Sequence, residues 1–170
     1  EAASWATPLK VSVNVSPIQL MNTSLTDTII GVLQQTGLDP RRLDLEITES
    51  DVFNENTRSL EILSQLREQG IQISIDDFGT GYSSLSYLQD LDVDILKIDK
   101  SFVDALEYNN VTPHIIEIAK TLKLEMVAEG IETENQEAWL RQHGVQYGQG
   151  WLYSKALPKA EFILWAEKRL

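Results

Sequence analysis

At 170 residues, 42% of them hydrophobic and 24% charged, the chain has the length and mixture of one soluble globular domain with a sizeable core. Its 26 acidic residues outnumber 14 basic ones, for a net charge of −12, and no basic patch of the kind nucleic-acid-binding domains carry stands out. With no cysteines, disulfides, thiolate metal sites and cysteine nucleophiles are excluded, which fits a cytoplasmic location, and no apolar run approaches the roughly 18 residues of a membrane span.

Taken in chain order, six β-type runs stand out: Leu9–Ser16, Leu43–Ser50, Ile71–Phe78, Ile95–Ser101, Leu124–Ile131 and Val145–Tyr153. Helical patterns separate most of them. Leu25–Thr36 ends at Gly37 and Thr57–Gln69 at Gly70; Val111–Leu122 and Thr133–His143 follow, and Pro158–Arg169 closes the chain. Strand and helix alternating in this way predict parallel strands joined by crossover helices.

The two faces of the strands differ. Val11, Val13 and Val15 oppose Ser12, Asn14 and Ser16; Leu43, Leu45 and Ile47 oppose Asp44, Glu46 and Thr48; Ile71, Ile73 and Ile75 oppose Gln72, Ser74 and Asp76. An open doubly wound sheet, covered by helices on both sides, needs strands that are apolar almost throughout. A TIM-like (β/α) barrel resolves the conflict, because helices cover only its outside and the polar face points inward.

In such barrels the active site lies at the C-terminal strand ends. Those ends carry Asn14, then Glu46 with Glu49, Asp76 with Asp77, Lys97 with Asp99, Glu129 with Glu132, and Gln149. A strand-end Asp or Asn alone often only caps the next helix; one at every strand end is harder to dismiss. With no Cys and two His, the metal to expect is a hard one held by oxygen, Mg²⁺ or Mn²⁺. Lys97 either belongs to this site or pairs with Asp99 on its own strand face.

The stretches that carry these residues are Val13-Asn14-Val15-Ser16, Glu46-Ile47-Thr48-Glu49-Ser50, Asp76-Asp77-Phe78-Gly79-Thr80-Gly81-Tyr82-Ser83-Ser84-Leu85, Leu96-Lys97-Ile98-Asp99, Val127-Ala128-Glu129-Gly130-Ile131-Glu132-Thr133 and Gln149-Gly150. They resemble the successive signatures of the EAL domain family, in the family's order and across nearly the whole chain. The resemblance implies a cyclic di-GMP phosphodiesterase that opens one phosphodiester to give linear pGpG, using two Mg²⁺ or Mn²⁺ ions. Carried over, Asn14, Glu46 and Asp76 hold the first ion, and Asp76 bridges to a second completed by Asp77 and Glu129. Lys97 touches the attacking water, Gln149 supports the same network, and Glu49 braces the loop from Phe78 to Leu85. Glu132 is either a supporting carboxylate or the acid that opens a helix. Phe78 and Tyr82, with Asp99, are placed in substrate binding, the aromatic pair being equally open to a packing role.

The Glu-Ala-Leu from which the family takes its name ends its first strand and has no counterpart here; Glu1-Ala2-Ala3-Ser4-Trp5 reads as the end of a helix. Against the roughly 250 residues of a full barrel, residues 1–170 are expected to be a fragment of a single EAL domain, with about six of eight strands. Such a piece is itself expected to be inactive and to associate as a homodimer through free strand edges or by domain swapping. A sensor or GGDEF-like domain is expected N-terminal to it in the parent, and an inner-membrane anchor is left open. The alternatives in function are an inactive EAL-fold cyclic di-GMP receptor and a metal-dependent barrel acting on another phosphoester.

Overall fold

The structure is a computed structural model that describes residues 2–5, 7–49, 57–80, 88, 91–106, 108 and 110–168. Six strands form one sheet: β1 (Val11–Asn14), β2 (Leu43–Thr48), β3 (Gln72–Phe78), β4 (Ile95–Ile98), β5 (Glu125–Ala128) and β6 (Tyr147–Gly148). The helices are α1 (Pro17–Leu20), α2 (Leu25–Thr36), α3 (Thr57–Glu68), α4 (Lys100–Asp104), α5 (Val111–Leu122), α6 (Glu134–Gln142) and α7 (Lys159–Glu167). None of the described helices is long and apolar enough to cross a membrane.

All strand pairs are parallel and the order is sequential from β1 to β6. A doubly wound sheet would reverse its strand order at a switch point; this one never does. Six strands laid flat at about 4.8 Å spacing would hold β1 and β6 some 24 Å apart, roughly. Yet the Lys10 ammonium, just before β1, stands 6.0 Å from the Tyr147 ring in β6. The sheet is therefore strongly curled, an incomplete TIM-like α/β barrel whose polar strand faces share its concave side. Next to β1, Trp5 packs on Phe162 of α7 with ring centroids 5.5 Å apart.

The convex side holds the core. Ile47, Ile73, Ile75, Leu96 and Ile98 are at most 1% exposed beneath Leu63, Leu66, Ile115, Ile116 and Ala119 of the helices, and burial of each such side chain contributes about 1.5–3 kcal/mol. Val15 is buried as its phase predicts, but Val13 is 44% exposed. β1 pairs only with β2 among the described residues, and α2 packs toward α3, which leaves the outer face of the edge strand open.

All six strands are shorter than the runs read from the sequence, and for three of them the local reason is plain. Pro17 starts α1, and the Gln19 side-chain oxygen accepts from the Ser16 N–H and O–H, so β1 stops at Asn14. The Asp99 carboxylate accepts from the Ser101 N–H at 3.0 Å and opens α4, so the strand expected to reach Ser101 ends at Ile98. β6 is two residues long because the chain turns at Gly150, where a Cβ would lie 2.1 Å from the Ile131 carbonyl oxygen.

Inside the curl, Asp44 ties three strands together. Its carboxylate accepts from Ser12 Oγ of β1 at 2.9 Å and from Ser74 Oγ of β3 at 2.6 Å. Asp44 is 5% exposed and Ser74 fully buried. Each member lies two residues before a candidate site residue, Asn14, Glu46 or Asp76, so this polar layer sits directly beneath the mouth. At the opposite end Arg67 pairs with Asp94 at 2.6 Å and Asp92 at 3.0 Å, and Asp94 also accepts from the Ile73 N–H.

Replacing Asp44 with Ala strands two hydroxyls, one of them buried. We expect a loss of about 1–3 kcal/mol of stability, read as a lower urea midpoint with an unchanged slope. A shift equivalent to less than about 0.5 kcal/mol, the ordinary range of surface substitutions, would show that the layer carries no structural weight.

Candidate functional site

The centre of the mouth is a lysine. Lys97 projects from β4 with a side chain 5% exposed, and its Nζ lies 3.0 Å from Glu46 Oε2, 3.0 Å from Asp76 Oδ1 and 2.7 Å from Glu129 Oε1. These carboxylates come from β2, β3 and the end of β5, so four neighbouring strands meet in one ammonium. Gln149, just past β6, donates from Nε2 to Glu129 Oε1 at 2.7 Å and brings in a fifth. Asn14 is the register partner of Glu46 and stands exposed at the end of β1. The structure thus gathers Asn14, Glu46, Asp76, Lys97, Glu129 and Gln149 at the C-terminal ends of six strands. The alternative pairing of Lys97 with Asp99 is absent among the described residues; Asp99 caps α4 instead.

Electrostatics follow from this crowding. Burial works against the Lys97 charge, but the hydrogen bonds it donates to Glu129, Glu46 and Asp76 outweigh this and hold its pKa above the ordinary lysine range. Burial pushes the Glu129 carboxyl up, and the Lys97 hydrogen bond only partly offsets this. The Asp77 carboxyl is also raised, first by burial and then by the charges of Asp76 and Asp99. Such opposed influences concentrate where a site is built to hold another charge.

Asp76 and Asp77 are adjacent, and on a regular strand adjacent side chains point to opposite faces. The structure breaks the alternation. Between Ile75 opposite Leu96 and Phe78 opposite Ile98, β3 carries one residue more than β4. Asp77 takes the left-handed conformation with φ 54°, which Asp tolerates better than most residues. Asp76, Asp77 and Glu129 each then offer an oxygen within 4.8 Å of the others, an all-oxygen set suited to a hard divalent cation. The same extra residue turns Phe78 to the core side, where it is 3% exposed. It packs in the core there, the other role that the sequence left open for it.

Behind the cluster, Glu49 is 2% exposed and its Oε2 accepts from the Gly79 N–H at 2.7 Å. Gly79 has φ 93°, and a Cβ there would lie 2.8 Å from the Phe102 ring, so no other residue fits that turn. Glu132 pairs with Lys100. Tyr82 lies outside the described residues. What reading the sequence missed is the Asp44 layer, whose only signal was its polar phase, and Lys100 with Trp151 on the rim, which carried none.

With this geometry in view, comparison with known proteins is direct. A model of the EAL domain matches residues 1–156. The chain is 62% identical over 160 residues, 94% of its length, to the "Probable cyclic di-GMP phosphodiesterase PdeB" of Escherichia coli, and spans 31% of that protein. Among solved structures it is similar to the PaMucR phosphodiesterase in its c-di-GMP complex, with a TM-score of 0.85 and 39% identity over 90% of this chain and 64% of that one. It is also similar to the manganese/cy-diGMP complex of Klebsiella pneumoniae BlrP1, with a TM-score of 0.77 and 29% identity over 86% of this chain and 38% of that one. The chain belongs to the EAL domain family.

Proposed function

We propose that this chain carries the hydrolytic site of a cyclic di-GMP phosphodiesterase, which opens one phosphodiester of the cyclic dinucleotide to give linear pGpG. The observation that carries the reading is the convergence of Glu46, Asp76, Asp77 and Glu129 around Lys97 at one barrel mouth. The relatives' names and the bound ligands of similar structures support it.

A phosphodiester anion resists attack by water, and a purely acidic mouth would repel it. The donor set fits Mg²⁺ or Mn²⁺: Asn14, Glu46 and Asp76 would hold one ion, and Asp76, Asp77 and Glu129 would hold a second. When bound, such a pair supplies positive charge to the phosphate oxygens and lowers the pKa of a water. The chain's own residues do the rest. Lys97 balances the surplus carboxylate charge and holds its ammonium where it can donate to the attacking water. Gln149 fixes the Glu129 carboxylate, and Glu49 fixes the turn after Asp77. The reading as an inactive receptor is the weaker one, because every one of these positions keeps a functional side chain.

The same proposal extends to partners. Cyclic di-GMP is the ligand, a sensor or GGDEF-like domain in the same polypeptide regulates it in the cytoplasm, and copies associate through the open edge of β1. The curated relatives are longer than this chain, and the exposed Val13 of the edge strand β1 is in keeping with association.

In the intact protein, Asp76→Asn is expected to lower pGpG formation by at least about a thousandfold, in line with the several kcal/mol a metal centre contributes, with an unchanged circular dichroism spectrum. Normal turnover in that variant would refute the two-ion assignment. Lys97→Met leaves Glu46, Asp76 and Glu129 uncompensated and should destabilise the protein in EDTA by about 3–5 kcal/mol. Added Mn²⁺ should then raise the unfolding temperature more in the variant than in the wild type, since only the folded state binds it. Equal metal responses would show that Lys97 does not compensate the site.

A further inference from the structure

A carboxylate buried against neutral partners is costly, and Asp44 is such a group. It is 5% exposed, and its described partners are two serine hydroxyls, Ser12 Oγ at 2.9 Å and Ser74 Oγ at 2.6 Å. The three residues stand on β1, β2 and β3. Two positions further along the same strands, on the same face and about 6.6 Å higher, come Asn14, Glu46 and Asp76. The link therefore spans the three strands whose ends would hold one ion of the pair.

β1 has most need of it. That strand is four residues long, pairs only with β2 among the described residues, and leaves Ser12, Val13 and Asn14 exposed. A short edge ladder opens locally more readily than the strands of a core, and Asn14, at its end, is the one neutral donor of its set. The Ser12–Asp44 bond ties this edge to the sheet interior by a side chain. The remaining donors of the mouth are fixed by other means. Asp77 sits in the turn that Glu49 holds through the Gly79 N–H at 2.7 Å, and Glu129 is held by Lys97 and by Gln149, each at 2.7 Å. Neither support runs through Asp44.

We propose that Asp44 is a positioning residue for one ion of the pair: by bridging Ser12 and Ser74 it sets the spacing of Asn14, Glu46 and Asp76, and with it the affinity of the site they form. This rests on the two-ion reading of the mouth and adds what holds one of its sites in shape. Bridging, not charge, is the operative property. An asparagine keeps it, since a carboxamide accepts at one atom and donates at the other, and a serine hydroxyl does both. Partners that orient metal ligands are worth about 10–100-fold in metal affinity. Asp44 stands one layer further from the ion and belongs at the lower end of that range.

Calorimetric titration of the metal-free intact protein with Mn²⁺, well below its unfolding temperature, separates positioning from plain stability, because only folded protein is then titrated. Asn14→Ala and Asp77→Asn, each removing a ligand of one site alone, assign the two binding phases. Asp44→Ala should raise the Kd of the Asn14 phase about tenfold and leave the Asp77 phase within about threefold. Asp44→Asn should keep both phases within about threefold of the wild type. Ser12→Ala cuts only the tie to β1 and leaves the buried Ser74 bond in place. It should raise the Kd of the Asn14 phase about fivefold, and it carries the test should Asp44→Ala fail to fold. The role is overturned if neither Asp44→Ala nor Ser12→Ala moves the Asn14 phase, if both phases weaken equally, or if Asp44→Asn is as damaging as Asp44→Ala. A wild type that binds fewer than two Mn²⁺ ions overturns it together with the two-ion reading. Turnover is assayed on the same samples: a wild type that binds two ions, with this pattern of responses in the variants, but forms no pGpG would sink the phosphodiesterase reading and leave Asp44 its role.

Discussion

The mouth of this barrel depends on one buried ammonium. Glu46, Asp76 and Glu129 each come within 3.0 Å of Lys97 Nζ, and without a cation between them they could not share so small a space. Two like charges 4 Å apart repel by about 4 kcal/mol at an effective dielectric constant of 20. A lysine whose side chain is 5% exposed would by itself tend to lose its proton; the three carboxylates reverse that tendency. Lysine and acids thus neutralise each other at close quarters. The arrangement also leaves acidic capacity unspent, because Asp77 adds a fourth carboxylate with no ammonium of its own among the described residues. That surplus makes the mouth receptive to further cations.

A second constraint lies in the backbone. Presenting two adjacent carboxylates to one centre requires a break in strand alternation, and the extra residue of β3 with Asp77 at φ 54° supplies it. The distortion is held from behind by Glu49 on Gly79 and from below by Asp44 between Ser12 and Ser74. Strain next to an active site persists only where its surroundings over-determine it, and here two buried carboxylates do so.

How much of this the sequence disclosed follows from the same physics. Alternation over β2 and β3 exposed the polar concave face and hence the barrel, and apolar spacing located α2 and α5 to the residue. Strand ends named the six residues of the mouth because parallel topology carries every C-terminal end to one side. Features that break a period stayed hidden. Phe78 has the phase of Asp76 in the sequence, and only the extra residue sends it to the core. Lys97 could be paired with Asp99 on paper, since both share a strand face; the cap that Asp99 makes for α4 removes that option. Gly150 shortened β6 through a contact with Ile131, nineteen positions away by the numbering, which no local pattern records. Lys100 and Trp151 come together only across three strand ends.

The central claim is that this carboxylate mouth holds two divalent ions sharing Asp76. Electron paramagnetic resonance of the metal-free intact protein titrated with Mn²⁺ tests it most directly, because two ions bridged by one carboxylate couple magnetically and a lone ion does not. The account predicts two Mn²⁺ per chain, with the six-line signal of isolated ions giving way to that of a coupled pair as the second site fills. Saturation at one uncoupled ion, or no binding at the mouth, would contradict it.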